Sequence, residues 1–119
     1  MHELRIESLA GSREGVRILK LTGPFTLGNI FEFQEIVRTD PAPTMIVDLS
    51  GVPYMDSAAL GAVLGLHVSC QRDHRKYALA GASDRLRSLF KVAGVDGLLV
   101  SYPSVSDAEG GLGGNTASA

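Results

Sequence analysis

Tryptophan is absent from this chain of 119 residues, aromatic side chains make up 6% of it, and Cys70 is its one cysteine. So few rings leave no visible platform for stacking the bases of a single strand. A lone cysteine forms no internal disulfide, which agrees with a reducing compartment. Excess positive charge is missing too. The 11 Lys and Arg stand against 13 Asp and Glu, and no basic run creates a local field for a phosphate backbone. Nucleic acid is therefore not an expected partner. No apolar stretch approaches the roughly 20 residues a membrane-spanning helix needs. The N-terminus also lacks the basic-then-apolar pattern of a secretory signal. These features together predict a cytoplasmic protein with no membrane partner.

What is present is 45% apolar residues, enough for one small core. One domain is expected over residues 1–108. The glycine-rich remainder, 109–119, reads as a flexible tail with little to bury. Leu4 to Glu7 and Val16 to Gly23 read as a hairpin around a polar turn. After Gly23-Pro24, Thr26 is placed to cap a helix reaching about Arg38, in which Leu27, Ile30, Phe31, Phe33, Ile36 and Val37 recur at helical spacing. Thr44 to Leu49 is an almost continuous apolar strand of the kind buried on both faces of a parallel sheet. Asp56 or Ser57 caps a helix from about Ala58 to about His74. Tyr77 to Ala80 is a strand, and Ser83 or Asp84 caps a helix ending at Gly94. Leu98 to Val100 is the last expected strand, with a short helix starting near Ser104. Alternation of this kind predicts an α/β fold with a mostly parallel sheet.

The helix after Asp56 has two unlike faces. At about 100° per residue, Ala59, Val63, Leu66 and Cys70 share one arc, with Leu60, His67 and His74 at its edge. That arc packs on the sheet. Opposite it, Ser57, Gly61, Gly65 and Ser69 form a row four apart, flanked by Leu64 and Val68 on one side and Arg72 on the other. Each interior glycine costs a helix on the order of 1 kcal/mol relative to alanine. Close approach of another protein is one reason to keep them; tight packing beneath a neighbouring helix of the same domain is the other. Asp56-Ser57 is open in the same way. A phosphate on Ser57 is tolerated at the positive helix end and adds a charge of about −2 beside Asp56, yet Asp and Ser at helix starts are mostly caps.

The segment from Met45 to Gly61, MIVDLSGVPYMDSAALG, resembles the signature of STAS domains and of anti-sigma factor antagonists, in which a buried strand ending in Asp leads by a short loop to Asp-Ser and Leu-Gly. The similarity extends from the turn Leu21 to Phe25, through Leu79-Ala80-Gly81, to Leu86 to Phe90. It implies the STAS fold: a four- to five-stranded, mostly parallel sheet opening with a β-hairpin, its helices packed mainly on one side. It also implies a partner-switching role. Ser57 is the implied acceptor of a phosphate from an anti-sigma factor serine kinase, and a metal-dependent serine phosphatase reverses the transfer. The unphosphorylated chain binds the kinase and frees a sigma factor; the phosphorylated chain lets go. The implied docking face comprises Asp56, Ser57, Gly61, Leu64, Gly65 and Val68. In two places the chain departs from the family: Ala58-Ala59 replaces a second hydroxyl residue and glycine, and Thr26 stands where an acidic residue is common. The alternative role is a STAS scaffold subunit of a lipid-transport or stress-sensing complex, working without phosphorylation.

Enzymatic readings are weaker. No G-x-S-x-G elbow surrounds Ser57, and His67 lies about 15 Å along the same helix by axial rise. His67, Cys70 and His74 share a face at spacings of three and four, but no further cysteine or carboxylate cluster completes a metal site. No glycine loop is followed by the Lys-Ser/Thr of a phosphate-binding loop. The expectation is a protein with no catalytic residues, cofactor or metal of its own.

Overall fold

The computed structural model describes residues 3–117, the last five by their backbone. Five strands form one sheet in the order β1 (Arg5–Ala10), β2 (Val16–Thr22), β3 (Thr44–Gly51), β4 (Lys76–Ala80) and β5 (Ser101–Tyr102). The first pair is an antiparallel hairpin, and every later pairing is parallel. Between them run a short 3-10 turn, Leu27–Asn29, leading into α1 (Ile30–Thr39), then α2 (Ser57–Arg72), α3 (Asp84–Val92) and α4 (Val105–Ala117).

Strand alternation divides the apolar residues between two faces. Leu19, Leu21, Met45, Val47, Leu49, Tyr77 and Leu79 join one cluster with the inward stripes of α1, α2 and α3, among them Phe33, Val63 and Phe90. Ile18, Ile46, Ala78 and Ala80 join a second, smaller cluster beneath Ala108 of α4. Three helices thus cover one side and one covers the other, the STAS arrangement that the sequence implies. The central position of β3 explains its apolar run: both of its faces are covered.

Two elements differ from expectation. The last strand is Ser101–Tyr102, because Leu98 and Leu99 are drawn into a turn whose amides both donate to the Val95 carbonyl (3.0 Å each). Leu99 is buried there while Leu98 is exposed, so a helical turn accounts for apolar residues that resemble a strand. In addition, α4 continues to Ala117, so residue 108 falls inside a helix. Glycine is a poor helix former, and packing supplies what propensity lacks: Val105 and Leu112 lie against the second face of the sheet.

One polar chain joins α2 to β4 and to the residue that precedes β5. Val100 N donates to the Tyr77 hydroxyl (3.2 Å), which lies 2.8 Å from His67 Nδ1. The phenol can accept from Val100 and still share a hydrogen bond with Nδ1, so one hydroxyl serves both groups. The two rings meet edge to face at 5.5 Å. Tyr77→Phe strands both the Val100 amide and Nδ1; an unsatisfied buried group costs about 1–3 kcal/mol. The expected result is a lower urea midpoint with an unchanged far-ultraviolet circular dichroism spectrum.

Candidate functional site

The site is built where two loops leave neighbouring parallel strands at the same edge. Leaving β2, Gly23 has φ 111°, a backbone conformation that side chains resist. A Cβ there would stand 2.5 Å from the Glu3 carbonyl oxygen. Gly23 N donates to Gly51 O at the end of β3 (2.9 Å). Phe25 then bridges to Met55: its amide donates to Tyr54 O (3.1 Å) and its carbonyl accepts from Asp56 N (3.3 Å). The Phe25 ring is fully buried and packs edge to face on Phe33 of α1 at 5.2 Å. Asn29 closes the turn, accepting from Thr26 N (2.9 Å) and donating to Pro24 O (3.0 Å).

Asp56 is the cap of α2 and also its tie to α1. One carboxylate oxygen accepts from Ala59 N (2.9 Å) inside the first turn, and the other accepts from Leu27 N (3.0 Å) at the start of the 3-10 turn. The Ala59 amide, and then the Leu27 amide, hold the carboxyl below its ordinary range, since both bonds favour the charged form. Asp56 is therefore a fixed negative charge. Ser57 follows as the first residue of α2 and is exposed; among the described residues its hydroxyl engages no side-chain hydrogen bond. Asp48 lies within β3, which continues to Gly51, and accepts from Ser50 N of the same strand (3.0 Å), a local bond.

Along α2, an added Cβ at Gly61 or Gly65 meets nothing within 4 Å. Neither glycine lies beneath a neighbouring helix, so internal packing does not account for them. Val68 is 58% exposed, whereas Leu64 is half-buried against the core. The row borders a groove of about 230 Å³ between α1 and α2, lined by Gln34 and Arg38 on one wall and by Ala62, Gly65 and Ser69 on the other. The inward arc is buried as its periodicity predicts, with Ala62 added beside α1. His67 is engaged by Tyr77, burial pushes the Cys70 thiol up, and His74 is exposed. Among the described residues no three His, Cys, Asp or Glu gather as metal ligands, and no helix is long and apolar enough to cross a membrane.

Two residues placed in the apolar stripe of α1 by periodicity are not in the core. Leu27 is 60% exposed and Phe31 71% exposed. Ile30, Phe33 and Val37 supply the buried face, with Ile36 partly buried against the same core. The signal was present in the sequence: six apolar residues between Leu27 and Val37 cover more of the helix circumference than one packed face uses.

Comparison with known proteins places this geometry in context. The STAS domain profile matches residues 9–108. The anti-sigma-B factor antagonist of Listeria monocytogenes is 30% identical over 93 residues, 78% of each chain. A putative anti-sigma factor antagonist of Thermotoga maritima superposes with a TM-score of 0.76 at 18% identity, over 87% of this chain and 90% of that one. The anti-sigma factor antagonist SpoIIAA, solved unphosphorylated, gives 0.74 at 18% identity over 92% and 97%. Its phosphorylated form from Bacillus gives 0.65 at 15% identity over 90% and 97%.

Two stability predictions follow from this geometry. Gly61→Ala and Gly65→Ala each raise unfolding stability in urea by about 0.5–1 kcal/mol, the usual gain where a helical glycine has free space around it. Asp56→Ala lowers it by about 1 kcal/mol, the worth of a cap. Because the folded-state pKa of Asp56 is depressed, this contribution is full above the unfolded-state value and is lost as pH falls through the folded-state value. The wild-type and Asp56→Ala curves are expected to converge in acid.

Proposed function

The chain belongs to the STAS domain family, and we propose that it is a cytoplasmic anti-sigma factor antagonist whose binding is switched off by phosphorylation of Ser57. The observation that carries this reading is the pairing of an exposed serine with a fixed carboxylate at the head of a helix whose outward row is open to solvent. The relationship to the Listeria antagonist supports it.

In the unmodified state, α2 offers an anti-sigma serine kinase a surface of small residues. The kinase engages it and gives up its sigma factor. In the transfer step, Ser57 Oγ forms a bond to the γ-phosphorus of ATP as the bond from that phosphorus to the β-phosphate oxygen breaks. ADP leaves, and the hydroxyl proton passes to a base on the kinase. The added group brings a charge of about −2 next to Asp56, which is already ionised. Like charges and added bulk then exclude the surface that fitted the free hydroxyl. A metal-dependent serine phosphatase reverses this: water bonds to the phosphorus as the bond from phosphorus to Ser57 Oγ breaks, Oγ regains a proton, and inorganic phosphate leaves. In this scheme the chain is substrate and ligand; the catalytic groups belong to its partners.

Incubation with anti-sigma serine kinases from the same genome and Mg-ATP is expected to add one phosphoryl mass to the peptide containing Ser57. Ser57→Ala should hold the kinase permanently, and Ser57→Asp should weaken binding at least tenfold in calorimetry. An unchanged peptide mass with every such kinase would sink the switch. Normal function of Ser57→Ala in the cell would point instead to the scaffold role.

A further inference from the structure

Resting on the reading that a kinase docks at Ser57, we propose that Leu27 and Phe31 are the apolar anchor of that docking face and determine its affinity. The two side chains stand out in α1 and the turn before it. Ile30, Phe33 and Val37 are buried, while Leu27 and Phe31 remain 60% and 71% exposed. They do not hold the fold together. Nor are they remote from the site, since Leu27 N donates to the carboxylate of Asp56, the residue before Ser57. Phe31 follows in the first turn of α1, which the 3-10 turn of Leu27 leads into. From Phe31 the same side of α1 continues through Gln34 and Arg38, which form one wall of the groove whose other wall includes Gly65 and Ser69.

The occupant follows from what phosphorylation at Ser57 demands. A kinase that reaches Ser57 must seat its active site over the head of α2, and a specific interface covers about 800 Å² on each partner. A footprint of that size reaches well beyond one side chain, and the turn bonded to Asp56 through Leu27, with the start of α1 that follows it, is the neighbouring surface. The glycine row of α2 offers shape but almost no side-chain area, so apolar burial there has to come from elsewhere. Exposed leucine and phenylalanine side chains on the neighbouring turn and helix supply it, and aromatic residues are over-represented among the few that dominate binding energy. The small residues of α2 then provide clearance, Leu27 and Phe31 provide attraction, and Ser57 carries the switch.

The test uses the full chain and the kinase that phosphorylates it, held with ADP, with affinity read by calorimetry. Leu27→Ala and Phe31→Ala are each expected to weaken binding at least tenfold. Each should also raise the KM for phosphorylation at unchanged kcat, with the unfolding midpoint unmoved. Leu9→Ala is the control, since Leu9 is also exposed but pairs with Ile18 on the sheet face that α4 covers; it should bind as wild type. If the wild type binds and is phosphorylated while Leu27→Ala and Phe31→Ala bind within twofold of it, this proposal fails and the switch stands. If no kinase binds or phosphorylates the wild type, the switch fails and the anchor with it. If the wild type is a dimer in sedimentation and Phe31→Ala is a monomer, a second copy of the chain covers the pair and the proposal is overturned.

Discussion

Asp56 accepts from Leu27 N with one carboxylate oxygen and from Ala59 N with the other, and the arrangement of the site depends on that double bond. Its backbone takes part as well, with its amide donating to Phe25 O and its carbonyl accepting from Leu60 N. One residue thus fixes the start of α2 in position, in direction and against the approach to α1. Parallel neighbouring strands make this possible: β2 and β3 end at the same edge, so the loops that leave them run side by side. Gly23 N to Gly51 O and Phe25 N to Tyr54 O are the first two stitches of a seam that Asp56 completes. Phe25 anchors the seam in the core, where burial of a phenylalanine contributes about 1.5–3 kcal/mol.

A seam of this kind separates the folding work of α2 from its outward face. Ala59, Val63, Leu66 and Cys70 carry the packing, and Asp56 supplies the cap. Nothing in the domain needs Gly61, Gly65 or Ser57 to be what they are: the glycines meet no neighbour and the serine has no side-chain partner among the described residues. Two helical glycines in open space are a standing cost on the order of 1 kcal/mol each. Natural sequences depart from local consistency mainly where function asks for it, and the placement of this cost on α2's outer row is what the proposed docking surface requires.

Much of this was legible in the sequence because the strongest patterns are those that packing enforces on both sides. The apolar run of β3 required two covered faces, and the spacing Ala59, Val63, Leu66, Cys70 admitted one buried arc. Ser83 caps α3 as expected, accepting from Leu86 N at 3.3 Å. Readings failed where local composition competed with tertiary context. Leu98 and Leu99 look like strand residues, but the carbonyl of Val95 captures both amides. Gly110 and Gly111 argue against a helix, yet α4 is held by what it covers. Leu27 and Phe31 kept helical period with the core residues while pointing elsewhere, because periodicity states that a residue repeats without stating on which side an excess of apolar residues ends. The link between Asp56 and Leu27 spans 29 positions, and no local pattern announces it.

The same seam bears on how a phosphate at Ser57 acts. A group that created a missing cap would order the helix, and its effect would spread through the fold. Here the cap is already made: Ala59 N is committed to Asp56, Leu60 N to the Asp56 carbonyl, and α2 is fixed to α1 through Leu27. A phosphate therefore gains little from the helix beyond its dipole, worth about 0.3–1 kcal/mol at an exposed site, and it meets a carboxylate that the same amides keep ionised. These two influences oppose each other within the domain, so the fold is left nearly indifferent to the modification. A partner seated over Ser57 is not indifferent, because it has to desolvate both charges at once. In the proposed switch the discrimination thus lies in the interface, and a rigid domain suffices to deliver it.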